Sequence, residues 1–293
     1  MKPAPSWIAI APALFVILWA TGFVVARLSA DHVEPLTFLS IRFPIAGGLF
    51  ALITFYQRAT WPKARQALHA AVAGALLHGG YLGPIYWAVA HGMPAGVSAL
   101  IVGLQPLMTA FLAAPIVGES ISRRHWFGLI VGILGIGLVV WPKLNFDSVT
   151  GITPITTALC IFGALSVSLG TVYQKRFATG LNLASGGVWQ YVGASLVVLI
   201  GAALSENFGF DGSFEAWLAL GWSVIVLSLA TITLPMLLIR HGDVARVSGL
   251  IYLVPAVAAL MTYVFFGETL VPVQILGTVA CAGAVFIVTH RAG

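Results

Sequence analysis

Long apolar runs alternate with short polar segments over the whole length of the chain. Each run has about 20 residues, the length that an α-helix needs to cross the hydrocarbon core of a bilayer. The polar segments are too short to form a separate soluble domain. The pattern therefore predicts an all-α integral membrane protein of ten transmembrane helices. In chain order they lie at 7–27, 36–57, 67–90, 94–117, 124–141, 152–174, 184–204, 214–239, 244–265 and 271–289.

The chain repeats itself half a length apart. Segment 91–101 recurs at 241–251, where seven of its eleven residues are identical at a constant offset of 150. Further pairs match downstream: Pro106 with Pro255, Gly118 and Glu119 with Gly267 and Glu268, and Gly128 with Gly277. Such a repeat indicates duplication of one unit. We predict two homologous five-helix halves, 1–145 and 146–293.

Five crossings are an odd number, so the two halves must enter the membrane from opposite sides. They form an inverted repeat, which is typical of secondary transporters, because the halves exchange conformations to open one side while closing the other. Lysine and arginine set the orientation. If the N-terminus is cytoplasmic, eleven of the fourteen basic residues lie on the cytoplasmic side, as the positive-inside rule requires. Both termini are therefore expected in the cytoplasm.

Composition supports a membrane location. Hydrophobic residues make up 59% of the 293 residues, charged residues 8%, and the mean hydropathy is +1.00. Soluble domains carry about 25% charged residues. The basic net charge of +5 comes from membrane-flanking loops, so it does not indicate a nucleic-acid partner. Cys160 and Cys281 lie inside apolar runs, where they are expected to be small buried hydrophobes.

No pattern in the sequence indicates an enzyme. HExxH, GxSxG and phosphate-loop motifs are missing, as is a pair of carboxylates deep in the membrane. We therefore expect no cofactor and no metal. An intramembrane hydrolase would need a nucleophile and a base that the sequence does not offer, and a non-transporting scaffold would leave the inverted symmetry without a reason.

His78 is the first candidate for substrate binding, because it lies near the middle of the third predicted helix. An ionisable side chain at that depth should face protein or a water-filled cavity. Tyr81 shares its face one turn further on. The repeat equivalents of the two residues are Ser228 and Thr231, which are also polar and deep. The alternative is a histidine satisfied by a backbone carbonyl in a packed helix pair.

The fourth predicted helix carries a polar stripe, because Ser98, Gln105 and Thr109 fall on one face at 100° per residue. Pro106 and Pro255 each remove a backbone donor, which is tolerated where the freed carbonyl lines a cavity, so they are candidate hinges. The polar stripe has an equally good alternative explanation, namely that its side chains hold neighbouring helices together.

Aromatic residues form a third set of candidates. Trp19 lies deep in the first helix on the same face as Phe15, Phe162 lies in the sixth helix with Ser166 beside it, and Tyr252 lies in the ninth. A cavity for an aromatic or apolar solute is built from rings and a few placed polar groups. Most other tryptophans lie near helix ends, where interfacial belts form.

Two further features have non-catalytic explanations. Arg42, in the second helix, is expected to snorkel to the outer interface, with an anion or carboxylate site as the alternative. Small residues four apart in the fifth and tenth helices predict close backbone packing, with a homodimer contact as one possibility and a monomer as the other.

Together these motifs resemble the drug/metabolite transporter superfamily in its ten-helix form with two EamA-type repeats. Within it the chain is most similar to the YddG-type aromatic amino-acid exporters of bacterial inner membranes. The resemblance implies a central cavity walled by helices 1, 3, 4, 6, 8 and 9, with helices 5 and 10 packed to one side. It also implies export as the direction of transport.

The sequence therefore predicts a secondary transporter that moves small amphipathic metabolites by alternating access. Amino acids, aromatic ones included, are the expected substrates. Because no carboxylate lies at mid-membrane, we expect a facilitator or exchanger without an obligatory carboxylate proton relay. The alternative is a multidrug or lipophilic-cation exporter, in which His78 couples transport to protons.

Overall fold

The computed structural model of the chain describes residues 6–117, 123–140, 151–230, 254–268 and 271–289. Its described part is helical apart from short connections. We number the helices α1 to α10 in chain order. They are α1 Ser6–Ala30, α2 Pro35–Tyr56, α3 64–90, α4 95–117, α5 Arg123–Val140, α6 Pro154–Phe177, α7 Leu183–Ser205, α8 214–230, α9 Val254–Phe266 and α10 Pro272–Thr289.

The predicted all-α membrane fold is confirmed, and the helix ends that lie in the described chain, those facing 231–253 excepted, fall within a few residues of their predicted positions. Four helical segments of the described chain are long and apolar enough to cross a membrane by length and composition: Pro35–Tyr56, Ala95–Ile116, Pro154–Phe177 and Leu183–Ser205. The predicted eighth and ninth helices fall partly in 231–253, outside the described residues. Many large apolar side chains on the outer surface are exposed, as a lipid-facing surface requires.

Small residues allow α3 and α7 to pack backbone against backbone. A Cβ added at Gly193 would fall on the carbonyl oxygen of Ala71, and one added at Gly74 would fall on that of Gln190. Helices in a bilayer associate through such close packing, since lipid supplies no hydrophobic driving force between them. This contact fixes α7 against the helix that carries His78.

We expect Gly193→Ala to destabilise the protein, because the added methyl group must push α3 and α7 apart. Overpacking of this kind lowers the free energy of unfolding by about 1–3 kcal/mol. The measurement is equilibrium unfolding of detergent-purified protein. Gly48→Ala in α2 is the matched control, because no atom lies within 4 Å of a Cβ added there. Equal stability of the two variants would contradict this packing.

Carboxylates at one end of the bundle tie helices of the two halves together. Glu206, after α7, accepts hydrogen bonds from the backbone N–H groups of Leu36 at 2.8 Å and Thr37 at 2.7 Å. Glu34, before α2, accepts one from the Gly209 N–H at 2.6 Å. The bonds to Glu206 satisfy N–H groups that the first turn of α2 leaves unpaired and place negative charge at the positive end of the helix.

Glu268, after α9, caps α4 in the same way. Its two carboxylate oxygens accept from the N–H groups of Ala95 and Gly96, each at 3.1 Å. We call the end of the bundle that holds Glu34, Glu206 and Glu268 the carboxylate end.

An exposed ion pair joins two loops at the carboxylate end. The His32 Nδ1 lies 2.7 Å from a carboxylate oxygen of Asp211. The backbone N–H of Ser213, aided by its side chain and by His32, lowers the pKa of Asp211 from 3.8 to about 2. Because folding lowers this pKa, the stabilisation is fully present above the ordinary carboxyl pKa and is lost as the pH falls towards 2.

Helices α5 and α10 pack against each other through their small residues. A Cβ added at Gly135 would lie 2.6 Å from the Cys281 sulfur and 2.9 Å from the Gly277 carbonyl oxygen. The Cys281 thiol also approaches the Gly132 carbonyl oxygen at 3.6 Å. The predicted glycine packing therefore occurs within the chain, so these faces are occupied by an intramolecular helix pair.

Candidate functional site

A cavity of about 520 Å³ lies between the two halves of the bundle. Residues of α1, α3, α4, α6 and α8 line it, as the resemblance implied. The ninth helix was also expected in the wall, but the described residues of α9 do not line the cavity. Its wall also includes Arg42 of α2 and Tyr191 of α7, two helices that were not expected there. They reach the cavity because α2 and α7 pack against each other at the centre of the bundle, where Phe43 meets the Tyr191 ring at 5.9 Å.

A wide helical turn brings His78 to the cavity. In Ala75–Gly79 the helix α3 widens into a π-helix, and the Gly80 N–H donates to the Ala75 carbonyl oxygen five residues back. The Ser166 hydroxyl on α6 donates to the Leu76 carbonyl oxygen within this turn, at 2.9 Å. Single π turns inside α-helices are frequent at functional sites, because the extra residue redirects side chains.

The second half contains a wide turn at the equivalent place. The offset of 150 carries 75–79 onto 225–229, which lies inside the π-helix Ser223–Ala230 of α8. There the Ser228 hydroxyl donates to the Ser223 carbonyl oxygen at 3.1 Å. The two widened helices therefore correspond to each other in the repeat.

The His78 imidazole is held by a ring and retains an unused nitrogen. It stacks on Tyr191 with ring centroids 5.1 Å apart and planes inclined by 6°. The Gln190 amide lies beside it. Its Nε2 has no hydrogen-bond partner among the residues that the structure describes. A buried nitrogen of this kind is costly to leave unpaired, which suits a group that pairs with a bound molecule.

Another part of the cavity wall is built from rings and aliphatic groups. The Trp19 indole N–H of α1 lies beside the Tyr81 hydroxyl of α3. Phe23, Ile85 and Leu227 complete this part of the lining. The cavity therefore has an apolar wall and a small number of placed polar groups, the usual construction of a site for a small amphipathic molecule.

Gln105 also lines the cavity, directly after a break in α4. The helix is interrupted at Gly103 and Leu104, because Pro106 cannot donate a backbone hydrogen bond to the preceding turn. A Cβ added at Gly103 would lie 2.7 Å from the Pro255 ring on α9. Pro255 therefore packs against the break that precedes Pro106.

Four of the predicted residues do not line the cavity. Ser98 has no exposed surface and donates to the Pro94 carbonyl oxygen, since the break in α4 separates it from Gln105. Phe162 is 56% exposed on the outside of α6, about 140° around the helix from the cavity-lining Val167.

The hydroxyls of Ser166 and Ser228 each donate a hydrogen bond to a backbone carbonyl of a wide turn. Ser228 also lies beside the Tyr191 hydroxyl. Tyr252 and Thr231 lie outside the described residues.

Arg42 corrects the sequence interpretation. Its side chain does not snorkel to the interface: Arg42 is only 5% exposed and lines the cavity. Its Nη1 lies 3.4 Å from the Tyr86 hydroxyl, and its Cζ lies 5.8 Å from the centroid of the Phe43 ring. The sequence shows a charged residue inside an apolar run. That pattern indicates how deep the residue lies in the membrane, but not the direction in which its side chain points.

The described lining extends towards one end of the bundle only. It reaches Ala178, Gly180 and Asn182 in the loop between α6 and α7. At the carboxylate end, the capping bonds of Glu206 and Glu268 join the helices above it. In the described chain, the central cavity therefore extends to the loop between α6 and α7, whereas hydrogen bonds between helices close the carboxylate end.

A family model described as the EamA-like transporter family matches the chain twice, at 6–141 and 155–290. The uncharacterized inner membrane transporter YedA of Escherichia coli is 28% identical over 93% of this chain and 87% of its own length. A probable amino-acid metabolite efflux pump of Salmonella typhimurium is 26% identical over 94% and 92%.

A probable terminal-alkyne amino-acid exporter of Streptantibioticus cattleyicolor is 24% identical over 95% of this chain and 92% of its own length. A crystal structure that is 18% identical in sequence superposes with a TM-score of 0.63, covering 97% of this chain and 96% of the other. That likeness supports the fold alone.

Proposed function

Because this chain belongs to the EamA-like transporter family, we propose that it moves amino acids, aromatic ones included, out of the cell by alternating access. It is a membrane transporter of small metabolites and not an enzyme. Relatives named as amino-acid efflux proteins support the proposed substrate class and direction. Among exporters of this kind, the aromatic amino-acid type fits the ring-lined cavity best.

The observation that carries the proposal is the central cavity. Its volume of about 520 Å³ accommodates a molecule the size of an amino acid. Trp19 and Tyr81 offer ring faces, while His78 and Gln105 offer hydrogen-bonding groups. The rings suit the apolar part of a small amphipathic molecule, and the polar atoms suit its hydrogen-bonding groups.

Alternating access is supported by the unequal ends of the cavity. Its described lining reaches the loop between α6 and α7, whereas the carboxylate end is tied by bonds between the halves. With both termini in the cytoplasm of a bacterial inner membrane, this loop faces the cytoplasm. We assign the conformation to the state that receives substrate from inside, with Pro106 and Pro255 as the hinge between states.

We propose that the substrate gradient drives transport. No Asp or Glu is among the described residues of the cavity wall, and carboxylates or histidine chains normally carry protons through transporters. Among the described residues, His78 is the histidine of the cavity wall, and one histidine does not form a chain that carries protons across the membrane. We therefore infer that the protein is a facilitator or an exchanger.

The test is uptake by purified protein in liposomes with no ion gradient, using a panel of labelled amino acids. We expect flux of phenylalanine, tryptophan and other large neutral amino acids. Flux of lipophilic cations instead, dependent on a proton gradient, would favour the multidrug alternative. No flux of any amino acid, with or without the gradient, would overturn the proposal.

A further inference from the structure

The cavity contains a buried cation that no carboxylate of the described chain neutralises. Arg42 is 5% exposed, lies on α2 within the membrane-spanning part of the bundle and contributes to the cavity wall. The ion pairs of the described chain are those of Arg27 with Asp31 and of His32 with Asp211, both at helix ends. Arg42 takes part in neither.

Neutral groups satisfy the guanidinium only partly. The hydrogen bond from Nη1 to the Tyr86 hydroxyl is long, at 3.4 Å, and Nε has no hydrogen-bond partner in the described part of the chain. The Phe43 ring lies 5.8 Å from Cζ and adds a weak cation–π contact. A guanidinium has five N–H donors and stays charged in proteins, so removing it from water without an anion is costly.

The proposed substrate supplies the missing charge. We propose that Arg42 receives the carboxylate of the transported molecule, so that a free carboxylate is required for binding while a charged amine is not. A guanidinium and a carboxylate match as two parallel hydrogen bonds, which gives strength and direction. The inference rests on the proposed function only in taking the cavity as the transport site.

The rest of the cavity explains why the amine is dispensable. An ammonium group would be recognised by a carboxylate, but the described wall offers it only neutral acceptors such as Gln105 and the Gln190 amide. The substrate side chain would pack against the apolar wall around Trp19, Phe23 and Leu227. A carboxylate at one end and an apolar or aromatic body at the other is therefore the recognised class.

The positive charge of Arg42 also affects the binding of cationic solutes. A lipophilic cation in the cavity would face the Arg42 charge without a compensating carboxylate in the described wall. Like charges in a site of low dielectric repel strongly. The same residue that selects carboxylates therefore rejects cations.

Binding competition tests the inference directly. Purified protein is incubated with labelled phenylalanine and challenged with three analogues: N-acetylphenylalanine and 3-phenylpropanoate keep the carboxylate, whereas phenylalaninamide keeps only the amine. We expect the two carboxylates to compete within about 10-fold of phenylalanine and the amide to be at least about 100-fold weaker. An amide that competes as well as phenylalanine would overturn the inference.

Variants show that Arg42 is the recognising group. In Arg42→Gln, phenylalanine should bind at least about 100-fold more weakly, while the weak affinity for the cationic amide should rise, because the repelling charge is gone. Arg42→Lys keeps the charge without the two-pronged geometry and should recover part of the loss. Arg27→Gln, a paired and partly exposed arginine of α1, is the control and should bind as the parent does. The competition experiment uses the unmodified protein, so it still decides the question if a variant misfolds.

The outcomes separate this inference from the proposed function. To cover the case in which amino acids are not ligands, direct binding of labelled 3-phenylpropanoate is measured with the parent and Arg42→Gln. Arg42-dependent binding of this acid without amino-acid flux would sink the amino-acid proposal and leave carboxylate recognition standing. Flux of amino acids, together with an amide that binds as well as phenylalanine, would overturn carboxylate recognition and leave the amino-acid proposal standing. If no carboxylate binds, both are wrong.

Discussion

His78→Ala is expected to lower the flux of aromatic amino acids in proteoliposomes by about 5- to 150-fold. The substitution removes the unpartnered Nε2 and the ring that stacks on Tyr191 at 5.1 Å. A hydrogen bond lost in a buried site costs about 1–3 kcal/mol, and the conversion to affinity gives this range. The measurement is initial uptake without an ion gradient, normalised to folded protein.

Two matched variants distinguish binding from general damage. His91→Ala removes an exposed histidine at the end of the same helix, so its flux should equal that of the parent. His78→Gln retains a hydrogen-bonding amide and should restore part of the flux. Full activity of His78→Ala would remove this residue from the site. Flux that requires a proton gradient and disappears in His78→Ala would instead make it a coupling group.

The double variant Glu206→Gln with Glu268→Gln should open the carboxylate end. Each carboxylate accepts hydrogen bonds from the first N–H groups of a helix in the other half, and an amide loses the charge that the helix dipole favours. A loss of about 1 kcal/mol at each site shifts the conformational equilibrium by about 30-fold. Exchange flux should change with it, because the conformation tied at this end loses population.

Cysteine labelling measures the opening. Ala26 is buried on α1, one turn beyond the cavity-lining Phe23 towards the carboxylate end. In an Ala26→Cys background, reaction with a membrane-impermeant maleimide should be at least tenfold faster in the double variant, after subtraction of the parent. Glu215→Gln, an exposed acid of α8 at the same end, is the control. Unchanged labelling of a folded double variant would contradict the assignment of these carboxylates as ties.

The helices could be predicted from the sequence because membrane crossing imposes one length and one composition on every segment. The depth of His78 followed from the same count, and its position in the cavity wall agrees with that depth. The repeat also identified Pro106 and Pro255 as equivalent positions, and Pro255 lies beside Gly103 at the break that precedes Pro106. These features depend on position along the chain, which the sequence states directly.

Features that depend on packing between helices were not predictable in the same way. The wide turn at Ala75–Gly79 shifts the face on which His78 lies, and apolar periodicity does not report such a local widening. The break before Gln105 removed Ser98 from the predicted stripe. Arg42 was misplaced because a charged residue at a given depth can snorkel or face inward, and only its neighbours Tyr86 and Phe43 decide between them.

Counterflow is the measurement that tests the central claim most directly, namely that the ring-lined cavity is the substrate site of an alternating-access transporter. Proteoliposomes are loaded with unlabelled phenylalanine, diluted into a trace of labelled phenylalanine, and held without any ion gradient. We predict transient accumulation of label above equilibrium, lost in His78→Ala and retained in His91→Ala. Simple equilibration without an overshoot, or an overshoot indifferent to His78→Ala, would contradict the account.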